Sequence, residues 1–169
     1  GDLNLQVKVA NALRRLGQLQ EAINVLQRVL SEDPDQYFAN IAMGNILRSV
    51  GQGGLALRWY ATASARHPRL AVAQNQMRAL FSQAIQRWHF PMMNDVPRNE
   101  AYQRAIAAAV KPGDVVLDIG TGSGLLAMMA ARAGAAHVYA CDDSEQIIYS
   151  TQQVLVKNNL TDKITLIPK

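Results

Sequence analysis

The chain has 169 residues, 49% of them apolar, room for one ordinary domain or two small ones with a real core, which excludes a disordered tail. Its longest uninterrupted apolar run, Leu125 to Ala131, has seven residues and stops at Arg132, far short of the roughly 18 to 20 that a membrane span requires. One cysteine, Cys141, closes no intrachain disulfide, and His67, His89 and His137 lie far apart without a cysteine at ligand spacing, so disulfide scaffolds and zinc modules are set aside and no metal site is expected.

The chain opens Gly1-Asp2-Leu3 without a basic n-region or a cleavage-site pattern; the expectation is an internally cut piece of a cytoplasmic, or nuclear, protein. The net charge of +4 is uneven: residues 1 to 110 hold 12 Lys/Arg against 7 Asp/Glu, whereas residues 111 to 169 hold 5 against 6. Eleven of the twelve N-terminal cations are arginines, spread along amphipathic helices and not clustered in a run. That pattern reads as a solvated helical surface, with an acidic protein partner as the alternative and nucleic acid not expected.

In chain order, a repeat comes first. At an offset of 34 residues Gly17 matches Gly51, Ala22 matches Ala56, Leu13 matches Leu47 and Pro34 matches Pro68. Each copy shows helical apolar spacing on both sides of its glycine: Val9, Leu13, Leu16 then Ala22, Leu26, Val29, and Met43, Leu47, Val50 then Ala56, Tyr60, Ala63. Asp33-Pro34 and His67-Pro68 close the copies, predicting helix, turn, helix, stop. Small residues at Ala10 and Gly44, and at Ala22 and Ala56, let paired helices approach closely. This period and pattern resemble tetratricopeptide repeats over residues 3 to 68, capped by a third helix from about Ala71 to Trp88. The resemblance implies a protein- or peptide-binding surface, or a spacer that orients the second half of the chain.

From Asp114 the pattern changes. Val115 to Ile119 reads as a buried parallel strand, Gly120-Thr121-Gly122-Ser123-Gly124 as a loop, and Leu125 to Ala133 as a helix closed by Gly134. A strand from Ala136 to Cys141 ends at Asp142, a helix runs from about Ser144 to Asn158, and Ile164 to Ile167 is a third strand. The result is β-α-β-α-β, half of a doubly wound nucleotide-binding sheet. Glycines let backbone N–H groups at a helix N-terminus approach a ligand, and Asp142, 24 residues after Asp118, sits where it would accept from both ribose hydroxyls. A dinucleotide fingerprint would need glycine where Leu125 stands, and a phosphate loop would need a lysine that is not there.

Val116 to Gly124 instead resembles the first motif of the class I methyltransferases, which implies S-adenosylmethionine as cofactor. The segment before it is similar to the helices that precede that motif in the protein arginine methyltransferases, where the pattern is His-x-x-Met-Leu-x-Asp-x-x-Arg-x-x-x-Tyr. His89, Met92, Asp95, Arg98 and Tyr102 fall in register, with Met93 in place of the leucine. Val138 to Asp142 resembles the family's second strand, with aspartate where glutamate is usual.

The family resemblance implies a cofactor-binding set of Arg98, Asp118, Gly120, Thr121, Gly122, Gly124, Asp142, Met92 and Tyr102. Arg98 would pair with the cofactor's carboxylate, Asp142 would hold the ribose, and Met92 would also wall the substrate pocket. Tyr102, one helical turn beyond Arg98, would steady it. Where the family opens its cofactor lid with Tyr-Phe-x-x-Tyr, this chain has Ala79, Leu80 and Gln83. The glutamate pair that grips the guanidinium, the Thr-His-Trp loop and the β-barrel of the family would lie beyond Lys169, so catalytic residues are not identified and this piece alone is expected to be inactive.

The expected architecture is therefore α plus α/β: a tetratricopeptide module with its cap over residues 1–87, connector helices bordering the cofactor site over 88–110, and the first half of a Rossmann-like methyltransferase domain over 111–169. The expected activity is methyl transfer from S-adenosylmethionine to arginine in protein or peptide substrates, with a protein partner on the repeats and no membrane. The alternatives are a class I methyltransferase with another acceptor, a ribosomal protein or a small molecule, and a repeat adaptor without catalysis. A basic repeat module weakly repels arginine-rich substrates, so the repeats are expected to recognise a folded or acidic partner.

Overall fold

Two matching turns set the architecture of the first half. Helices α1 (Leu3–Arg15) and α2 (Leu19–Glu32) are joined at Gly17, and α3 (Tyr37–Ser49) and α4 (Gly53–Arg66) at Gly51, each glycine at φ +80°. In both turns the glycine N–H and the following glutamine N–H reach back to helix carbonyls: Gly17 to Arg14 and Gln18 to Leu13, then Gly51 to Arg48 and Gln52 to Leu47, at 2.9 to 3.1 Å. That pair of bonds satisfies carbonyls a helix end would otherwise leave open, and it needs a left-handed residue, which glycine adopts without a Cβ penalty. Helix α5 (Ala71–Ala84) comes next; the part of the predicted cap up to Trp88 lies outside the described residues. The computed structural model describes residues 1–85 and 89–168 and divides into two units, Gly1–Phe81 and Ser82–Lys169.

The core of the first unit is small-residue packing. Ala10, Ala22, Leu26, Val29, Ala39 and Ile46 are buried together, and Ala56, Tyr60 and Ala63 are buried on α4. The predicted face of α1 is corrected by this packing: Val9 is 46% and Leu16 75% exposed, while Val7 and Ala10 are buried. The apolar stripe of α1 thus runs through Val7 and Ala10, and Leu16, like the exposed Val50, belongs to the turn after the helix. Gly44 sits directly under the Tyr60 ring, so a Cβ added there would overlap ring carbons. Alanine in a helix ordinarily gains about 1 kcal/mol over glycine. Here overpacking outweighs it, and Gly44→Ala is expected to lower stability by about 1–2 kcal/mol, read from the midpoint of urea unfolding.

The second unit begins with α6 (His89–Met93) and α7 (Val96–Ala109), then runs β1 (Val115–Ile119), α8 (Leu125–Arg132), β2 (His137–Asp142), α9 (Glu145–Lys157) and β3 (Ile164–Pro168). The three strands form one parallel sheet in the order β1-β2-β3, with Val116 opposite Val138 and Val138 opposite Ile164. Val138, Ala140 and Ile164 pack with Ala127, Ala130 and Leu155 of α8 and α9, so the core lies on one sheet face. Among the described residues strand β1 is consequently not buried on both sides as its β-branched run suggests. Val115, Leu117 and Ile119 point away from the helices and are 60 to 75% exposed. Among the described residues no helix is long and apolar enough to cross a membrane, and no cluster of three or more His, Cys, Asp or Glu is placed to hold a metal ion.

Candidate functional site

The site is built around the loop from β1 to α8. Gly120, Gly122 and Gly124 take φ of +72°, +53° and +79°, which turns the chain sharply enough to aim backbone N–H groups inward. Two carboxylates, one from each neighbouring strand, hold it. Asp118 on β1 accepts from the Thr121 hydroxyl at 2.7 Å and from the Ala127 N–H at 3.1 Å. Asp142 at the end of β2 accepts from the Gly122 N–H at 3.0 Å and from the Ser144 N–H at 3.1 Å. The Cys141 carbonyl accepts from both Gly120 and Thr121, at 2.9 Å each.

Gly124 is the N-cap of α8 and offers no side chain to it, so Asp118 reaches across nine positions to cap the first turn instead. A carboxylate there also meets the positive end of the helix. From α9, the buried Thr151 hydroxyl donates to the Gly122 carbonyl, and its methyl group lies 2.9 Å from where a Cβ on Gly124 would fall. A Cβ on Gly122 would stand 2.9 Å from His89 Nε2, so the glycine lets α6 close over the loop.

Arg98 arrives from α7. Asp95 caps that helix by accepting from the Arg98 N–H at 3.1 Å, and Pro97 stands in its first turn, where a missing N–H costs nothing. The Arg98 guanidinium lies 4.7 Å from the centre of the Tyr102 ring and donates to Asn99 Oδ1 at 3.0 Å, while Asn99 Nδ2 donates to the Met93 carbonyl at 2.8 Å. The cation is therefore held by a ring face and an amide, neither of which neutralises it, and its remaining N–H donors are available to an anion.

These groups meet in a cavity of about 210 Å³, into which Met92, Arg98, Asp118, Gly120, Thr121 and Gly122 project or open. A second cavity of about 210 Å³ shares His89, Met93 and Gly122 with it and runs on to Ile147 and Thr151 of α9. Of the predicted set, Tyr102, Gly124 and Asp142 do not line the first cavity. Tyr102 carries Arg98, Gly124 starts α8, and Asp142 is tied to the loop through Gly122. Sequence reasoning missed Asn99, Ser144 and Thr151. Ser144 carried a signal as a serine just before a helix, where it accepts from the Ile147 N–H at 3.3 Å. Thr151 carried none, being 29 positions from its partner.

Comparison with known proteins agrees with this layout. Residues 3–46 match a tetratricopeptide repeat family model, and residues 101–169 match the model of the ribosomal protein L11 methyltransferase (PrmA). Protein arginine N-methyltransferase 9 of Mus musculus is 34% identical over 161 residues, 95% of this chain and 19% of that protein. Arginine N(omega)-methyltransferase of Streptomyces achromogenes subsp. streptozoticus is 37% identical over 126 residues, 73% of this chain and 35% of the relative. Among solved structures, the Trypanosoma brucei PRMT1 enzyme-prozyme heterotetrameric complex with AdoHcy is 33% identical over 52% of this chain and 28% of that one, with a TM-score of 0.47. The chain spans about a fifth of the length of the mouse relative. It is a relative of the protein arginine methyltransferases, with tetratricopeptide repeats ahead of a class I methyltransferase sheet.

Proposed function

We propose that the protein transfers methyl groups from S-adenosylmethionine to arginine side chains of protein substrates, and that the second unit carries the cofactor half of that site while the repeats recognise a protein. The observation that carries the reading is one cavity holding a glycine loop fixed by Asp118 and Asp142 together with the Arg98 guanidinium. The names of the mouse and Streptomyces relatives support arginine as the acceptor.

The residues present fit that cofactor. An amino-acid carboxylate suits Arg98, whose planar donors form paired bonds that a lysine makes less specifically. Ribose hydroxyls suit Asp142, which accepts through either oxygen, and the thioether of Met92 gives a polarizable wall. When bound, the cofactor supplies a methyl group on a sulfonium leaving group. The protein's part is to orient an acceptor in line with that bond, because a guanidinium remains protonated at neutral pH and needs neighbouring carboxylates to share its charge. Asp118 and Asp142 both hold the loop, and Asp142, with one hydrogen bond from the chain on each oxygen, keeps lone pairs for ribose hydroxyls.

Calorimetric titration of S-adenosylmethionine into this chain tests the site. Arg98→Ala and Asp142→Ala are each expected to weaken binding by about tenfold or more, about 1.4 kcal/mol, with circular dichroism unchanged. Tight binding that neither substitution alters would refute the assignment.

A second reading has one observation in its favour, the match of residues 101–169 to the ribosomal protein L11 methyltransferase model, which points to another acceptor. Acid hydrolysis of methyl-labelled product from the whole protein separates the two, since only arginine transfer yields methylarginines.

A further inference from the structure

The Gly122 peptide is gripped at both ends by one continuous piece of chain. Its N–H donates to Asp142 Oδ2 at 3.0 Å, and the carbonyl of the same residue accepts from the Thr151 hydroxyl. Asp142 closes β2, Ser144 caps α9, and Thr151 stands about two turns into that helix. The other Asp142 oxygen, Oδ1, accepts from the Ser144 N–H at 3.1 Å. The end of β2 and the helix that follows it therefore act as two jaws of a clamp on the loop from β1 to α8.

Two features separate the Thr151 contact from ordinary packing. A threonine inside a helix commonly returns its hydroxyl to a carbonyl three or four positions earlier, here Ile148 or Ile147, whereas Thr151 donates out of α9 to a loop 29 positions earlier. Gly122 is buried, so its carbonyl needs a donor from the protein, and a glycine has no side chain with which to fix its own peptide. Thr151 is 0% exposed, so water does not take over when the hydroxyl is removed. The consequence falls on Asp142. Its Oδ2 is anchored on the Gly122 N–H, and freeing the carbonyl end of the clamp lets that N–H, and the carboxylate bonded to it, change direction.

We propose that Thr151 is a positioning residue for ribose recognition: its hydroxyl fixes the Gly122 peptide, which in turn holds the Asp142 carboxylate in the orientation from which it accepts from ribose hydroxyls. The proposal rests on the reading of Asp142 as the ribose acceptor and adds a helix residue that acts through it. Two substitutions separate hydroxyl from shape. Thr151→Val keeps the branched outline and the methyl group beside Gly124 but loses the hydroxyl, and Thr151→Ser keeps the hydroxyl but loses the methyl group.

Calorimetric titration of S-adenosylmethionine into the full chain is expected to show binding weakened about tenfold or more by Thr151→Val and kept within about threefold by Thr151→Ser. A residue that only packs gives the opposite order. In an Asp142→Ala background, Thr151→Val is expected to change binding by less than about twofold, because its effect travels through that carboxylate. Amide hydrogen exchange reads the clamp without ligand: the Gly122 N–H is expected to exchange about tenfold or more faster in Thr151→Val than in the wild type or Thr151→Ser, with the α9 amides unchanged. Circular dichroism establishes that each variant keeps its fold. A folded serine variant that binds weakly overturns the assignment whatever valine does. An undiminished valine effect beside Asp142→Ala, or Gly122 exchange indifferent to the lost hydroxyl, overturns it while leaving the cofactor site standing. A folded wild-type chain that takes up no S-adenosylmethionine overturns the cofactor reading, and this role of Thr151 with it.

Discussion

Asp118→Ala is expected to be the most damaging single substitution in the second unit, lowering stability by about 3 kcal/mol and removing measurable S-adenosylmethionine binding. The carboxylate satisfies the Thr121 hydroxyl and the Ala127 N–H, and both donors lie on buried residues, so removing the acceptor strands two groups in place of one. Helix α8 has no other side-chain cap, since Gly124 offers none. Asp118→Asn separates charge from geometry: the amide oxygen keeps one acceptor, and the loss is expected to fall to about 1 kcal/mol. Urea unfolding followed by circular dichroism reads the stability, and calorimetry reads the binding. An alanine variant that unfolds at the wild-type midpoint would show that the loop stands without its strand carboxylate.

Gly122→Ala is expected to cost about 2–3 kcal/mol and to weaken cofactor binding by about tenfold or more. Two terms add: an L-residue at φ +53° carries left-handed strain, and its Cβ would press on His89 Nε2 at 2.9 Å. The same change at Gly120 meets nothing within 4 Å at φ +72°, so only the backbone term applies there and the expected loss is about 1 kcal/mol. A double-mutant cycle with His89→Ala isolates the contact. If the ring is what obstructs the new methyl group, the alanine at 122 is better tolerated when His89 has been truncated; additive effects would place the whole cost in the backbone.

The repeat was legible because it is written twice. Gly17 and Gly51, Ala22 and Ala56, and the two proline stops each specify a local event within a few residues, and local events are what periodicity and turn chemistry report. The glycine loop and Asp142 were legible for the same reason, as punctuation at strand ends. What escaped depended on partners distant in the chain. The exposure of Val9 and the burial of Val7 are decided by where the helices packed against α1 lie, which α1 cannot encode alone. The exposed face of β1 is not legible because a strand rich in valine, leucine and isoleucine suits a sheet covered on both sides, and here α8 and α9 pack on one. Asp118 also holds protein groups that its motif does not show, one of them nine positions away on a helix. Thr151 acts through a single hydroxyl from α9, and no spacing rule connects a mid-helix threonine to a loop 29 residues earlier.

Strand β1 forms one border of the sheet, and its outward side chains, Val115, Leu117 and Ile119, are oily and solvent-facing. A border strand of that composition carries no lysine or proline to discourage a newcomer, and among the described residues no strand pairs with its outer edge. Refolded by itself at high concentration, this stretch of chain therefore faces a race between closing its own sheet and recruiting strands from other molecules. Slow dilution and a lysine substituted for Leu117 should tilt that race toward the monomer, since a charge on a solvent-facing border position is a common natural safeguard against such recruitment.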